Sequence, residues 1–283
     1  MAVDSGPAAC LSSWKTDFID MSNLLSQYSR FIKSVAYEAG QLSLGAYSRL
    51  TNDDIEFKSA KDLVTAADRE VENFIISAIK KEFPDHAVFG EETGRSGSSD
   101  FCWIIDPIDG TASFVHELPF YSVSIALYHE EEPLVAAVYG PRLNELFHAA
   151  KGQGAFLGER KLHVSKRSQL IEAMLCTGFA CIRSNLPKNN LPYFERLVKR
   201  SRGMRRHGSA ALDLCYVAAG RLDAFWELNL KPYDYAAGVL ILQEAGGRIS
   251  DFHNGTDFSG DGIVASNGLL HHQIMGEITA AEA

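Results

Sequence analysis

Apolar residues recur at helical spacing early in the chain: Phe18, Met21, Leu24, Leu25, Tyr28, Phe31, Ile32, Val35 and Leu42. Positions three and four apart share a helix face, so residues 17–44 are expected to form one long amphipathic helix or two in series. The first dozen residues are small and polar and are expected to fray. A second helix is predicted from Thr65, whose hydroxyl can cap it while Asp68, three residues on, closes a capping box. Its stripe is Val71, Phe74, Ile75, Ala78 and Ile79, and Phe83-Pro84 ends it.

The period then changes. Residues 87–89, 101–105, 122–128, 134–139 and 145–149 are short β-branched or aromatic runs and are predicted strands. Glu130-Glu131-Glu132-Pro133 and Gly140-Pro141 supply hairpin turns. Beyond about residue 168 helix and strand alternate: helices at 192–201, 210–219, 235–245 and near the C-terminus, strands at 174–177, 224–227, 247–250 and 263–265. A hairpin-built half followed by an alternating half predicts two subdomains, 1–168 and 169–283. Neither a repeat nor a low-complexity linker separates them, so they are expected to share an interface.

Composition narrows the function. Of 283 residues, 46% are apolar and 22% charged, which excludes a disordered or fibrous chain. The net charge of −9 argues against a nucleic-acid polyanion as main partner. It leaves room for a small phosphate ester where metal ions reverse the local charge. The first basic residue is Lys15, Asp4 stands where a signal peptide wants positive charge, and no run of about 18 apolar residues exists. No membrane segment is therefore expected. Of the five cysteines, Cys10, Cys102, Cys176, Cys181 and Cys215, none makes a CxxC pair, and no His/Cys cluster completes a zinc site by spacing. A reduced, cytoplasmic protein is expected.

The candidate chemistry centres on Asp106-Pro107-Ile108-Asp109-Gly110-Thr111, where an apolar strand runs into two carboxylates. Pro107 stiffens the loop, and two carboxylates with a backbone carbonyl between them suit a hard cation such as Mg²⁺. Gly110 and Thr111 then open a short helix whose amides can face an anion. The same aspartates would also serve as turn and N-cap residues. Glu91 and Glu92 follow the strand at 87–89, and Asp234 follows Lys231-Pro232-Tyr233, giving three acidic strand-end sites.

These segments carry a resemblance. Asp62-Leu63-Val64-Thr65-Ala66-Ala67-Asp68, Gly90-Glu91-Glu92-Thr93, the stretch from Trp103 to Thr111, and Lys231-Pro232-Tyr233-Asp234 resemble the motifs of the inositol monophosphatase family, in the family's order, within about residues 31–270. The resemblance implies an α/β (α+β) fold of layered αβαβα type, with a mainly antiparallel first sheet and a mixed second one. Most metal ligands would lie in the first subdomain, and the second would complete the substrate site. It also implies a lithium-sensitive, Mg²⁺-dependent hydrolase of small phosphorylated polyols or sugars, inositol monophosphate first, acting as a homodimer with two to three Mg²⁺ per site. Glu91, Asp106 and the Ile108 carbonyl would hold one ion, and Asp106, Asp109 and Asp234 a second; a third would sit near Glu91. Asp68 and Thr111, with the ion near Glu91, would activate water. Gly110, Thr111 and Ala112 would cradle phosphate. Gly208, Ser209, Ala210 and Glu227 would meet the alcohol, with Asp109 and Asp234 bordering the substrate. Lys58 matches a family lysine near the metals.

Ala112 and Ser113 stand where the family commonly has Thr-Asn, and Tyr233 where it has Trp. Sibling activities stay open: fructose-1,6-bisphosphatase, histidinol-phosphatase and nucleotide 3′-phosphatase. So does a regulatory binding protein on the same scaffold that contacts nucleic-acid machinery. Gly152-Gln153-Gly154 onward reads as a hairpin turn and not a dinucleotide loop. Arg202, Arg205 and Arg206 read as a solvated strand end or as a phosphate- or protein-facing cluster, and His129, His148, His163, His271 and His272 as surface or core residues.

Overall fold

A computed structural model describes residues 21–47, 55–59, 62–256, 258 and 262–282. The start expected to fray, Cys10 and Phe18 lie outside them, as does the Lys58 side chain. The first helix is one element, α1 (Met21–Tyr47), with Tyr28, Ile32 and Val35 buried along its stripe. Strands β1 (Ile55–Ser59) and β2 (Asp62–Thr65) form a hairpin that leads into α2 (Ala66–Glu82). The capping box is present: the Thr65 amide donates to Asp68 Oδ2 at 2.8 Å.

Eight strands form the first sheet: β3 (Ala87–Gly90), β4 (Gly94–Ser96), β5 (Phe101–Asp109), β6 (Ser122–His129), β7 (Glu132–Gly140), β8 (Glu145–Ala150), β9 (Gly154–Leu157) and β10 (Arg160–Lys161). A short helix, α3 (Thr111–Val115), stands between β5 and β6. The spatial order is β10-β9-β8-β7-β6-β5-β3-β4, antiparallel except for the β3–β5 pair. The glycine-rich run after β8 is a hairpin turn, as expected, but it opens two strands that composition alone did not announce.

The second sheet is mixed. Its strands are β11 (Met174–Thr177), β12 (Gly203–Arg205), β13 (Ala224–Leu228), β14 (Arg248–Ser250) and β15 (Gly262–Ser266), in the order β12-β11-β13-β15-β14. Pairs within β12-β11-β13 are parallel and the remainder antiparallel. Helices α4 (Ala180–Arg183), α5 (Leu191–Val198), α6 (Ala210–Ala218), α7 (Pro232–Glu244) and α8 (His271–Glu282) connect them.

Burial explains the layering. Helices α1 and α2 cover one face of the first sheet through Ile32, Val71, Ile75, Trp103 and Ile125. All of α6 and most of α7 are buried, because these helices lie between the sheets and meet apolar side chains on both. Helices α5 and α8 close the far face of the second sheet around Trp226 and Ile274. The result is the expected αβαβα sandwich. Helix α7 starts earlier than its apolar pattern because Pro232 occupies its first turn, where a missing amide costs nothing. Among the described residues no helix is long and apolar enough to cross a membrane.

Candidate active site

Asp106 and Asp109 are an odd number of positions apart, so a regular strand would point them to opposite faces. Strand β5 avoids this with a bulge: Asp106 pairs with Ser124 and Asp109 with Ser122, placing one extra residue on β5. Both carboxylates then turn toward the first turn of α7, where Asp234 lies. One oxygen from each of Asp106, Asp109 and Asp234 falls within 4.8 Å of the others. Pro107 sits inside the bulge, where its missing amide breaks no ladder bond, and the Ile108 amide donates to Asp106 Oδ1 at 3.1 Å.

Each carboxylate is held separately. Asp109 Oδ2 accepts from Ser209 Oγ at 2.7 Å and from the Ala211 amide at 2.8 Å. Ser209 is fully buried and also caps α6, so its hydroxyl is turned to Asp109. Asp234 accepts from the Lys231 amide at 2.5 Å. Glu91 opens the loop after β3, with its amide donating to Ile105 O at 3.2 Å. That loop is anchored by Glu72, whose carboxylate accepts from the amides of Glu92 and Thr93 at 3.0 and 2.8 Å. A Cβ at Gly90 would meet the Glu72 carboxyl at 2.6 Å, so glycine is required there.

Burial pushes Asp106 well above the usual carboxylate range, and the charges of Glu91, Asp109 and Asp234 add to the rise. Burial lifts Asp109 to about 7 against the lowering effect of its Ser209 and Ala211 bonds. Asp234 is raised by burial and then by Asp109. Buried oxygen ligands that repel one another in this way are what a hard divalent cation satisfies.

Beside the cluster, Gly110 adopts φ 96°, a left-handed conformation that favours glycine. A Cβ there would also meet Gly208 O at 2.9 Å. Thr111 Oγ1 lies 3.2 Å from both Asp68 Oδ1 and the Ile108 carbonyl. Asp68 is fully buried, and burial lifts it to about 6 although Thr65 bonds it. Gly110, Thr111 and Ala112 line one small cavity with Glu91, Asp106, Asp109 and Asp234. A contiguous cavity is lined by Gly208, Ala210 and Glu227. The buried Glu227 accepts from the Ala180 amide at 2.9 Å, and burial lifts its carboxyl to about 7. Gly178 has no room for a Cβ against that carboxyl.

The fold therefore places Glu91, Asp106, Ile108, Asp109, Gly110, Thr111, Ala112, Gly208, Ala210, Glu227 and Asp234 along one pair of cavities, with Asp68 behind Thr111 and Ser209 behind Asp109. It adds two residues that the sequence did not single out, Arg183 and Glu72, and brings in Arg206 from the basic cluster. Arg183, at the end of α4, lines both cavities, and Arg206 lines the second. Glu72 was legible in principle, since it lies four residues after Asp68 and puts a second carboxylate on a helix face that also carries Val71 and Ile75.

The chain matches the model of the inositol monophosphatase family over residues 24–282. It is 45% identical over 224 residues to an inositol-1-monophosphatase of Synechocystis sp., covering 78% of each chain. It is 44% identical over 239 residues to a Nus factor SuhB of Pseudomonas aeruginosa, covering 82% of this chain and 88% of that one. Among solved structures, an inositol monophosphatase from Anabaena (Nostoc) sp. superposes with a TM-score of 0.82 at 35% identity, over 91% of this chain and 97% of that one. With four acidic residues from β5, the β3 loop and α7 gathered beside Thr111, and with this coverage, the chain belongs to the inositol monophosphatase family, a family of metal-dependent phosphatases.

Proposed function

We propose that this protein hydrolyses small phosphate monoesters of polyols or sugars, with inositol monophosphate the first choice, by attack of water supported by Mg²⁺. The convergence of Asp106, Asp109 and Asp234 within 4.8 Å carries the reading. Its donors are all oxygens, which favours Mg²⁺ over soft metals. Glu91, Asp106 and the Ile108 carbonyl would hold one ion and Asp106, Asp109 and Asp234 a second, with a third near Glu91. Bound there, the ions neutralise phosphate charge and the leaving oxygen and lower the pKa of water.

The chain's own residues do the rest. The amides of Gly110, Thr111 and Ala112 bind phosphate oxygens, since the first amides of a helix lack partners within it. Thr111 and Asp68 orient the attacking water, and Asp68 is the group on which its proton comes to rest. Arg183 adds positive charge to the same cavities and acts on Glu227. Gly208, Ala210 and Glu227 face the alcohol, while Ser209 keeps Asp109 aimed. Water is the expected nucleophile because no Ser or Cys nucleophile motif is evident in the sequence. We further propose a homodimer in a reducing, cytoplasmic setting, which the four buried free thiols support.

Phosphate release from a panel of esters, with and without Mg²⁺, tests the reading. Inositol 1-phosphate should lead. Folded protein inactive on every ester would overturn it. The likeness to a Nus factor supports a second reading, in which the same scaffold also contacts nucleic-acid machinery. Pull-down with an Asp106→Asn variant separates that role from catalysis.

A further inference from the structure

Strand β11, the loop before α6 and α6 itself bring together Cys176, His207 and Asp213, three residues that no spacing rule connects. One ligand atom of each lies within 4.8 Å of the others. Cys176 and Asp213 are buried and the His207 side chain is 14% exposed, which leaves it one open edge. The imidazole Nδ1 lies 2.6 Å from Asp213 Oδ1, and Cys176 Sγ lies 3.7 Å from that same nitrogen. A second hydrogen bond joins the thiol to Asp213.

This arrangement is not a nucleophilic relay. A relay needs thiol and carboxylate on opposite nitrogens of the ring, and here both meet Nδ1. Burial, reinforced by Asp213, also pushes the thiol well above its usual range, so it stays protonated and inert as a nucleophile. Three ligand atoms facing one point make a chelate instead.

We propose that Cys176, His207 and Asp213 bind a soft divalent cation, with Zn²⁺ the best fit, at a site separate from the carboxylate cluster. Thiolate and imidazole select such ions over Mg²⁺. Zinc bonds of about 2.3 Å to sulfur and 2.0 Å to nitrogen at a tetrahedral angle put the two ligand atoms about 3.5 Å apart. The observed separation is 3.7 Å. The His207–Asp213 contact has to open to about 3.3 Å for the same geometry, which rotation of the exposed-edged imidazole allows. Thiolate and carboxylate together balance the charge of the ion. The nearby charges of Arg206 and Glu227, which act on Asp213 and Cys176, are opposite in sign.

Proton accounting is simple. On binding, the thiol proton leaves to solvent and the ring proton sits on Nε2, because Nδ1 becomes a ligand. Phe120 stacks on the imidazole with ring centroids 4.5 Å apart. Asp213 also lines the cavity shared by Arg206, Gly208 and Glu227, from which water would complete the ligand set.

The test is a Co²⁺ titration of the folded protein in saturating Mg²⁺, followed by the near-ultraviolet thiolate-to-cobalt charge-transfer band. The all-oxygen cluster cannot produce that band, so the result is independent of the hydrolysis reading. The expected outcome is a band that saturates at one equivalent, is displaced by Zn²⁺, vanishes in Cys176→Ser and persists in Cys215→Ser. His207→Gln should weaken Co²⁺ binding at least tenfold, and this variant decides the matter if Cys176→Ser does not fold. No band in the wild type, a band surviving Cys176→Ser, or unchanged affinity in His207→Gln would overturn the proposal.

Discussion

Replacing Asp106 by Asn should make the metal-free protein more stable while it destroys catalysis. The two effects have one origin. With Asp106, Asp109 and Asp234 oxygens within 4.8 Å of one another, each ionised pair repels by about 3.5 kcal/mol or more at an effective dielectric of 20. Neutralising Asp106 removes two of the three pairs, about 7 kcal/mol or more if the cluster were fully ionised. Protonation already relieves part of this, since burial raises all three carboxyls and the neighbouring carboxylates raise Asp106 and Asp234 further. A gain of about 2 kcal/mol at pH 8 is the working expectation, or roughly 3–4 °C in Tm for a chain of this length. Asparagine keeps an oxygen that can accept from the Ile108 amide, so the β5 bulge should persist.

The assay is thermal unfolding at pH 8 in chelator and in Mg²⁺, alongside phosphate release. Wild type should gain stability from Mg²⁺ and the variant little. Activity should fall by more than about 100-fold, because even a residue that only supports a metal ligand typically costs 10–100-fold when lost. An Asp106→Asn protein that melts no higher than wild type in chelator would refute the repulsion argument. One that gains as much from Mg²⁺ as wild type would refute the ligand assignment.

Three further outcomes follow from other parts of the molecule. Glu227→Gln should reorder kcat/KM among polyol and sugar phosphates yet alter an aryl phosphate little; equal losses on both would place Glu227 in the metal or fold network. Li⁺ should inhibit far more than Na⁺ at equal ionic strength, because it matches Mg²⁺ in size with half the charge, and equal inhibition would reject lithium sensitivity. His271 is fully buried between Ser250 and Ser266, and burial, then Arg248, lowers it to about 4. The unfolded state therefore binds a proton between about pH 6.5 and 4 that the native state refuses. Stability from this group is complete above pH 6.5 and lost as pH falls, by at most about 3 kcal/mol and about 1–2 after solvent screening. His271→Gln should flatten the acid limb of the stability profile, and an unchanged slope would contradict this.

The acidic motifs were legible because each is contiguous: a strand ends, a carboxylate follows, and the strand-end position is set by local pattern. The long elements were legible for the same reason, with α2 and its capping box read from Thr65 and Asp68 alone. What the pattern could not carry is register. Nothing in Asp106-Pro107-Ile108-Asp109 states that β5 bulges against Ser122 and Ser124, yet the bulge is what turns both aspartates to one side. Short elements were missed too, among them α4, whose four residues deliver Arg183 to the site.

The Cys176, His207 and Asp213 cluster shows the limit most clearly. Spacing rules find ligands on one helix face or in one turn, and these three arrive by a different route. Parallel pairing of β11 with β12 sets Cys176 opposite Arg205, so the chain leaving β12 carries His207 back beside the thiol. Helix α6 then supplies Asp213 from its first turns. The same turns hold Asp109 through Ser209 Oγ and the Ala211 amide. Residues 209–213 thus hold Asp109 of the carboxylate cluster and supply Asp213 of the sulfur-bearing one. Displacing the start of α6 should therefore disturb both clusters at once.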